Sequence, residues 1–384
     1  MTKVSIVKCG DYEHGRVKNA ILQSLELIGG LEKIVKPGDN VLLKVNVIVG
    51  FSPERAATTH PSVVRAMIEI VKEAGGIPWV GDSSGAYGYT AQSLQISGIK
   101  KATEESGGKL INFESTGTYN LKVDGKVLTS INIAKPAIDC DVLVSLPKLK
   151  THMMTKYTGA VKNFYGVIPG SGKAAIHRIA QTEETFSDAV VDIYSVLKPK
   201  LAIMDGVIGM EGEGAINGTP IESKVILSSM DCVALDAVAS EIMGFRHRDI
   251  MTTCFAHNRG LGIGELDRIE VVGKKINDVK IDFKKSKHIY YKLPKFLSSF
   301  GLKLVENNSK VEISKEDCKK CKICLNSCPV SAIILEPEPS IDQKKCIKCY
   351  CCHELCRNSA VKLKTSYIGR QLLKGFMDQS LTKQ

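Results

Sequence analysis

The residues with the plainest chemical potential are the cysteines at 318, 321, 324 and 328 and again at 346, 349, 352 and 356. Each set has the spacing C-x2-C-x2-C-x3-C, the pattern that ligates cubane 4Fe-4S clusters. Three thiolates on one tight loop reach three irons of a single cubane, and the fourth, opening the next helical turn, points towards the other cluster. The spacing therefore assigns Cys318, Cys321, Cys324 and Cys356 to one cluster, and Cys346, Cys349, Cys352 and Cys328 to the other. A disulfide framework suits short secreted chains, whereas these cysteines are crowded at metal-ligand spacing in a chain of 384 residues. Two tetrahedral zinc sites would not need a regular run of four repeated twice. Pro329 follows the first run while Arg357 takes that place after the second, bringing a guanidinium that favours the reduced, more negative cluster. Cys351 is not used by the pattern and reads as packing, as do Cys9, Cys140, Cys232 and Cys254.

A second concentration of chemistry runs from Lys148, Lys150 and His152 through Lys162 and Asn163 to Lys173 and His177. Lysines supply point charges, and Thr158-Gly159 would open a helix whose free N–H groups favour an anion, so the stretch suits a phosphate or carboxylate. Gly170-Ser-Gly-Lys173 is not a P-loop, because Val167 and Ala174 stand where glycine and Ser/Thr are required. The loop Gly81 to Gly85, with Asp82, Ser83 and Ser84, follows a strand and adds polar groups, as do Thr58, Thr59 and His60. A glycine-rich stretch, Asp205 to Gly214, reads as a ligand-approaching loop in which Asp205 and Glu211 bind a cation or move a proton. His152 and Glu211 are the candidate proton donors, and Asp82, Ser83, Ser84, Lys148, Lys150, Lys162 and Asn163 the candidate substrate ligands.

The elements that must position these groups alternate short β-branched runs with amphipathic stretches, the signature of an α/β layered domain. Strands are expected at Val4–Val7, Val41–Val45, Ile77–Val80, Lys109–Phe113, Val142–Leu146, Leu201–Met204 and Val225–Leu227. Helices are expected at Arg16–Ile28, after a Thr59 cap with Pro61 in the first turn, at Asp188–Leu197 and at Asp231–Met243. Tyr119–Ile133 reads as a hairpin turning at Asp124-Gly125. If the strands before the three polar segments are parallel, a doubly wound order brings their ends to one edge, where they form one anion-binding cleft. The expected division is an α/β domain over 1–282, a basic aromatic connector over 283–312, the cysteine domain over 313–365 and an amphipathic tail over 366–384 that includes a short helix from Tyr367 to Met377.

Composition sets the outer bounds. A hydrophobic fraction of 43% is ordinary for a globular protein, and no apolar run approaches the roughly 20 residues of a membrane span. The N-terminus enters a strand pattern without an apolar signal core, which points to the reducing cytoplasm. Fifty-two basic against 41 acidic side chains give a net charge of +11, which suits an anionic substrate, an acidic partner or an anionic membrane surface. The lysines at 319, 320, 322, 344, 345 and 348 flank the cysteine loops and would attract an acidic electron donor such as a ferredoxin or flavodoxin. The connector is taken as a linker pressed onto its own domains, with no nucleic acid expected.

Two resemblances extend this reading. The cysteine portion resembles a bacterial two-cluster ferredoxin, which implies an α+β ferredoxin-like domain with two 4Fe-4S clusters. Lys44-Val-Asn46, Thr59-His60-Pro61, Gly81-Asp82-Ser83, Pro147-Lys148-Leu-Lys150-Thr151-His152, Thr158-Gly159-Ala-Val-Lys162-Asn163 and Gly209-Met210-Glu211-Gly212-Glu213-Gly214 resemble the motifs of the family called domain of unknown function 362, often fused to a ferredoxin domain. That likeness spans most of Lys3 to Gly273 and implies a large domain plus clusters, without established catalytic residues. The expected function is an iron–sulfur oxidoreductase passing low-potential electrons to an anionic small molecule in the α/β domain. The alternative is an electron carrier or assembly factor whose α/β domain docks a partner protein. No G-x-G-x-x-G occurs, so no NAD or flavin site is expected.

Overall fold

Strands β1 (Thr2–Lys8), β2 (Asn40–Lys44), β3 (Ile77–Asp82) and β4 (Lys109–Asn112) form wherever β-branched and aliphatic residues run without interruption. The computed structural model describes residues 1–286 and 309–365; most of the connector and the tail helix expected at Tyr367 to Met377 lie outside them. After β4 comes the expected hairpin, β5 (Thr118–Lys122) with β6 (Ser130–Ala134). It is followed by β7 (Val142–Ser145), β8 (Lys148–His152), β9 (Lys156–Thr158), β10 (Leu201–Glu211), β11 (Thr219–Ser229) and β12 (Ile269–Gly273). Ten of these make one sheet in the order β12-β1-β11-β10-β7-β2-β3-β4, with β8 on β10 and β9 on β8. The half from β10 to β4 is parallel throughout, while β11 runs antiparallel to both β10 and β1.

Such a sheet is buried on both faces, and successive residues alternate between two cores. Val41 and Leu43 join the apolar cluster under the helices His14–Ile28 and Pro61–Glu73, whereas Leu42 joins the cluster under Glu183–Ser195 and Cys232–Ile242. Two local expectations are corrected. His60, not Thr59, caps the helix Pro61–Glu73, its Nδ1 accepting from the Ser62 N–H at 3.1 Å; the Thr59 hydroxyl instead ties two strands, donating to Leu146 O at 2.6 Å and accepting from Asn46 N. The stretch read as a glycine loop from Asp205 is mostly strand β10, running on to Glu211. Gly206 and Gly209 serve close approach there, since a Cβ on either would meet Val225, Leu149 or Ser223.

In residues 309–365, β13 (Ser309–Ile313) pairs antiparallel with β16 (Val361–Thr365), and β14 (Ile333–Ile334) with β15 (Ser340–Ile341). The two cysteine runs repeat one backbone. Left-handed φ values recur at Lys320 and Lys348, Lys322 and Tyr350, and Ser331 and Ser359, each pair separated by the same interval as Cys318 and Cys346. Short helices Ile323–Asn326 and Cys351–Leu355 follow at matching places. This segment packs onto the sheet domain through an apolar seam in which Ile323 and Leu355 meet Val49, Ala57, Ala86, Met210 and Ile216. Met153, from the turn after β8, inserts into the core of the cysteine segment beside Val311 and Val361. The Tyr89 hydroxyl donates to Cys321 O at 2.9 Å, and Asn217 Nδ2 to His353 O at 3.1 Å. No helix among the described residues is long and apolar enough to cross a membrane.

Candidate functional site

Strands β2 and β3 end side by side, and the first residues past their apolar runs are polar: Lys44 and Asn46 after one, Asp82 and Ser83 after the other. A charge at a central position of a buried strand needs a partner. Lys44 Nζ pairs with Asp82 Oδ1 at 2.8 Å and donates to Val45 O at 2.7 Å, both side chains essentially without exposure. Burial lowers the Lys44 ammonium and raises the Asp82 carboxyl, each opposed by the charge of the other. Asn163, from the one-turn helix Ala160–Asn163, locks the arrangement: its Nδ2 donates to Lys44 O and Ser145 Oγ, and its Oδ1 accepts from Asn46 Nδ2 at 3.2 Å. Lys150 lies behind this layer and donates to Asn46 Oδ1 and Ala57 O, both at 2.7 Å.

In front of the layer is a cavity of about 100 Å³. The sheet domain contributes Lys44, Asn46, Asp82, Ser83, His152, Thr158, Lys162, Asn163, Lys173 and His177 to its wall, with Tyr165 and Phe186 as aromatic surface. The opposite wall belongs to the cysteine segment and includes Asn326, Ser327, Cys351, Glu354 and Leu355. Gly85 allows this closure, since a Cβ there would meet Leu355. Glu354 carries the contact furthest: its Oε1 lies 3.6 Å from His152 Nε2. Burial raises the Glu354 carboxyl while Lys162 and Lys150 pull it down.

His152 has a fixed tautomer. Its Nδ1 accepts from the N–H groups of Met154 and Thr155 at 3.1 and 3.3 Å, so in the neutral ring the proton sits on Nε2, towards Glu354. Burial, with the nearby Lys162 and Lys150 charges, keeps this ring well below the usual histidine range. His177 is likewise pushed down to about 3 by burial, with Lys162 adding. Lys173 is lowered to about 8 by burial and donates to Ser83 Oγ and Ile168 O at 2.7 and 2.6 Å.

Of the residues singled out in the sequence, the cavity thus brings together Asp82, Ser83, His152, Lys162 and Asn163, with Lys150 one layer behind. Three fall elsewhere. Lys148 points away from the cavity, pairing with Asp205 Oδ2 at 2.9 Å and donating to the Tyr12 hydroxyl at 2.6 Å; residues two apart share a face only on a regular strand, and the β8–β10 pairing shifts between Lys148 and Lys150. Glu211 is held by Lys284, through its backbone N–H at 2.8 Å and its ammonium at 2.9 Å. Ser84 donates inward to Ala86 O. The glycine segment ending at Gly214 packs against Thr151 and Met153 instead of lining the cavity. The helix opened by Thr158-Gly159 offers no free N–H groups either, because the Asp236 carboxylate accepts from Ala160 N, Val161 N and the Tyr157 hydroxyl. Sequence reading placed Thr158, Lys173 and His177 in the anion-suited basic stretch without naming them as ligands, and it did not assign Lys44, Asn46 or Glu354 to the site. The available signal was Lys44 itself, a charge closing an otherwise apolar strand.

The patterned cysteines of the two runs lie near one another. Burial pushes the Cys324 thiol up to about 12, with Cys356, Cys321 and Cys318 as charged neighbours. Cys346 is raised by burial, with Cys349 and Cys328 nearby, and a small hollow is lined by Cys328, Cys346, Cys349, Cys351 and Cys352 together with apolar residues such as Val311 and Ile333. Backbone N–H groups at the equivalent residues Ala332 and Ala360 point to Cys328 Sγ and Cys356 Sγ, each at 3.2 Å. Among the described residues no group of three or more His, Cys, Asp or Glu side chains converges on a single ion; a cubane spreads its four thiolates over four irons and asks for no such point.

Comparison with known proteins bears on the sheet domain. A thylakoid-associated protein of Synechocystis sp. is 34% identical over 259 residues, covering 67% of this chain and 79% of the relative. Among solved structures, the lactate racemase apoprotein from Thermoanaerobacterium thermosaccharolyticum aligns with a TM-score of 0.39 at 11% identity, over 63% of this chain and 57% of that chain. The model of the family described as domain of unknown function (DUF362) matches residues 41–241, from β2 to the helix Cys232–Ile242 that packs behind the cavity, and the chain belongs to that family.

Proposed function

We propose that this protein is an iron–sulfur oxidoreductase in which residues 309–365 form a ferredoxin-like domain with two 4Fe-4S clusters, serving an anionic small molecule held in the cavity. The observation that carries the reading is the composite wall: the loop from Cys349 to Cys356, which holds three patterned cysteines, also presents Cys351, Glu354 and Leu355 to a cavity whose other side is lysine and histidine. The crossed quartets and the backbone N–H groups aimed at sulfur fit such clusters, with Cys318, Cys321, Cys324 and Cys356 holding one and Cys346, Cys349, Cys352 and Cys328 the other. When bound, clusters of this type supply one-electron carriers at low potential.

The chain's own residues do the rest. Lys162 neutralises substrate charge. The apolar rim of Leu355, Ile48 and Phe186 limits water, which strengthens every electrostatic contact inside. His152, neutral and protonated on Nε2, donates to an oxygen on which charge develops and is the candidate proton source. Glu211, tied to Lys284 away from the cavity, is not assigned that role. Iron and sulfide analysis of anaerobic protein should give about eight of each per chain. Cluster reoxidation by a co-purifying metabolite, abolished in Lys162→Met with iron retained, supports the enzyme; reoxidation only by another protein favours the carrier or assembly-factor alternative.

The proposed donor is an acidic ferredoxin or flavodoxin. The lysines at 319, 320, 322, 344 and 345 are exposed around the cysteine loops, and Cys321 is itself exposed. Steering of this kind is screened by salt, so reduction by such a donor should slow as ionic strength rises, and a salt-independent rate would remove the basis for it. A reducing compartment, the cytoplasm, is proposed because exposed low-potential clusters require one. The relative's name places that protein at thylakoids, and a peripheral seat on a membrane needs no spanning helix.

A further inference from the structure

Three polar groups in the cavity wall have no partner among the described residues. Thr158 Oγ1 and His177 Nδ1 are buried without a hydrogen bond. The Lys162 ammonium has no hydrogen bond or ion pair there and stands 5.9 Å from the centre of the Phe186 ring. The three residues are only 2%, 8% and 9% exposed, so water does not satisfy them freely, and native structures rarely leave such groups unmet. The other cations of the wall are engaged: Lys44 with Asp82, and Lys173 with Ser83 and Ile168. Glu354 is the charged neighbour of both Lys162 and Lys150, so one carboxylate faces two ammonium groups and a guest meets a single uncompensated positive charge. That favours a monoanion over a phosphate dianion.

Size and wall chemistry narrow the class. A cavity of about 150 Å³ holds one benzene, so the 100 Å³ cavity takes a molecule of about six non-hydrogen atoms or fewer. A nucleotide or a coenzyme A ester exceeds that severalfold. Beside Lys162, the wall is an aromatic group in which His177 stacks on Phe186 at 4.5 Å and Tyr165 meets both edge-on, a surface that suits a flat body. We infer that the cavity binds a small, flat monocarboxylate, of the size of a short α,β-unsaturated acid, with its carboxylate on Lys162 and Thr158 and its body against Phe186 and Tyr165. This rests on reading the cavity as the substrate site and names the class of its ligand.

The test is isothermal titration of anaerobically prepared, oxidised full-length protein with crotonate, inorganic phosphate and AMP. Crotonate should bind with one site per chain, at least tenfold more tightly than either other probe. Lys162→Met should weaken it tenfold or more, and Thr158→Val, nearly isosteric, several-fold, both with iron content unchanged. Phosphate or AMP binding as tightly as crotonate, or crotonate binding that both variants leave intact, overturns the inference. The measurement needs no electron flow, so the two readings separate. Crotonate that binds without ever reoxidising reduced protein keeps this inference and counts against the oxidoreductase. A metabolite that reoxidises the protein without competing with crotonate does the reverse.

Discussion

Glu354 Oε1 lies 3.6 Å from His152 Nε2, although the two residues belong to segments that share no strand. With Lys150 and Lys162 as its charged neighbours, Glu354 is the counter-ion through which the cysteine segment seals the basic wall. Removing one member of a buried charge set leaves the others uncompensated, at a cost of about 3–5 kcal/mol. Glu354→Ala should therefore lower the urea midpoint followed by Trp79 fluorescence, and Glu354→Gln less so. A midpoint unchanged in both variants would mean that the carboxylate is incidental to docking.

Lys148 and Asp205 predict a different outcome from Lys162. Lys148 is fully buried, paired with Asp205 and bonded to Tyr12, away from the cavity. Lys148→Met should destabilise the fold by about 3–5 kcal/mol while leaving ligand affinity within about twofold at temperatures where the variant is folded. Loss of affinity with stability intact would put Lys148 back into the site.

The pH dependence of the site should follow Lys162, whose ammonium is held below the usual lysine range by burial, with Glu354 and Cys351 opposing. An anion binds the protonated form, so carboxylate affinity should fall as pH rises through the lowered value, approaching tenfold per unit. Stability moves the other way in that window. The unfolded chain still holds the proton that the folded chain has released, so this group makes folding more favourable as pH rises towards the ordinary lysine value. Affinity that holds up to the pH where an exposed lysine titrates would exclude Lys162 as the anion ligand.

Crossed ligation has a clear signature. On the proposed reading Cys356 closes the quartet of Cys318, Cys321 and Cys324, so Cys356→Ser should perturb the cluster of the first run and leave the second-run signal in the electron paramagnetic resonance spectrum of reduced protein. Loss of the second-run cluster instead would reverse the assignment.

Much of this arrangement was legible in the sequence. The apolar run Val41-Leu-Leu before Lys44 and the helix faces of His14–Ile28 and Pro61–Glu73 pointed to a largely parallel α/β sheet, and the repeat of Cys318 to Cys328 at Cys346 to Cys356 marked a second unit. The polar residues at strand ends were rightly gathered at one edge for Asp82, Ser83, Lys162 and Asn163. Lys148 was misplaced because β8 changes register along β10, and a sequence does not display a register shift. Glu211 was misplaced because glycine density resembles a loop, whereas here it lets strands pack closely. Glu354 was invisible for another reason: it sits among cysteines that dominate the motif, and its partners lie nearly two hundred residues earlier.

The apolar seam of Ile323 and Leu355 with Val49, Ala86 and Ile216 also bears on how the molecule is made. Translation delivers the sheet domain first, with its lysines at the bottom of an open basin and the greasy rim of that basin wet. The basin becomes a chamber only when the cysteine loops arrive and close it, so on the proposed reading cofactor insertion and the birth of the binding site are one maturation event. A chain that fails to acquire iron and sulfide would then be left with a sticky, half-built basin, a ready target for chaperones and proteases.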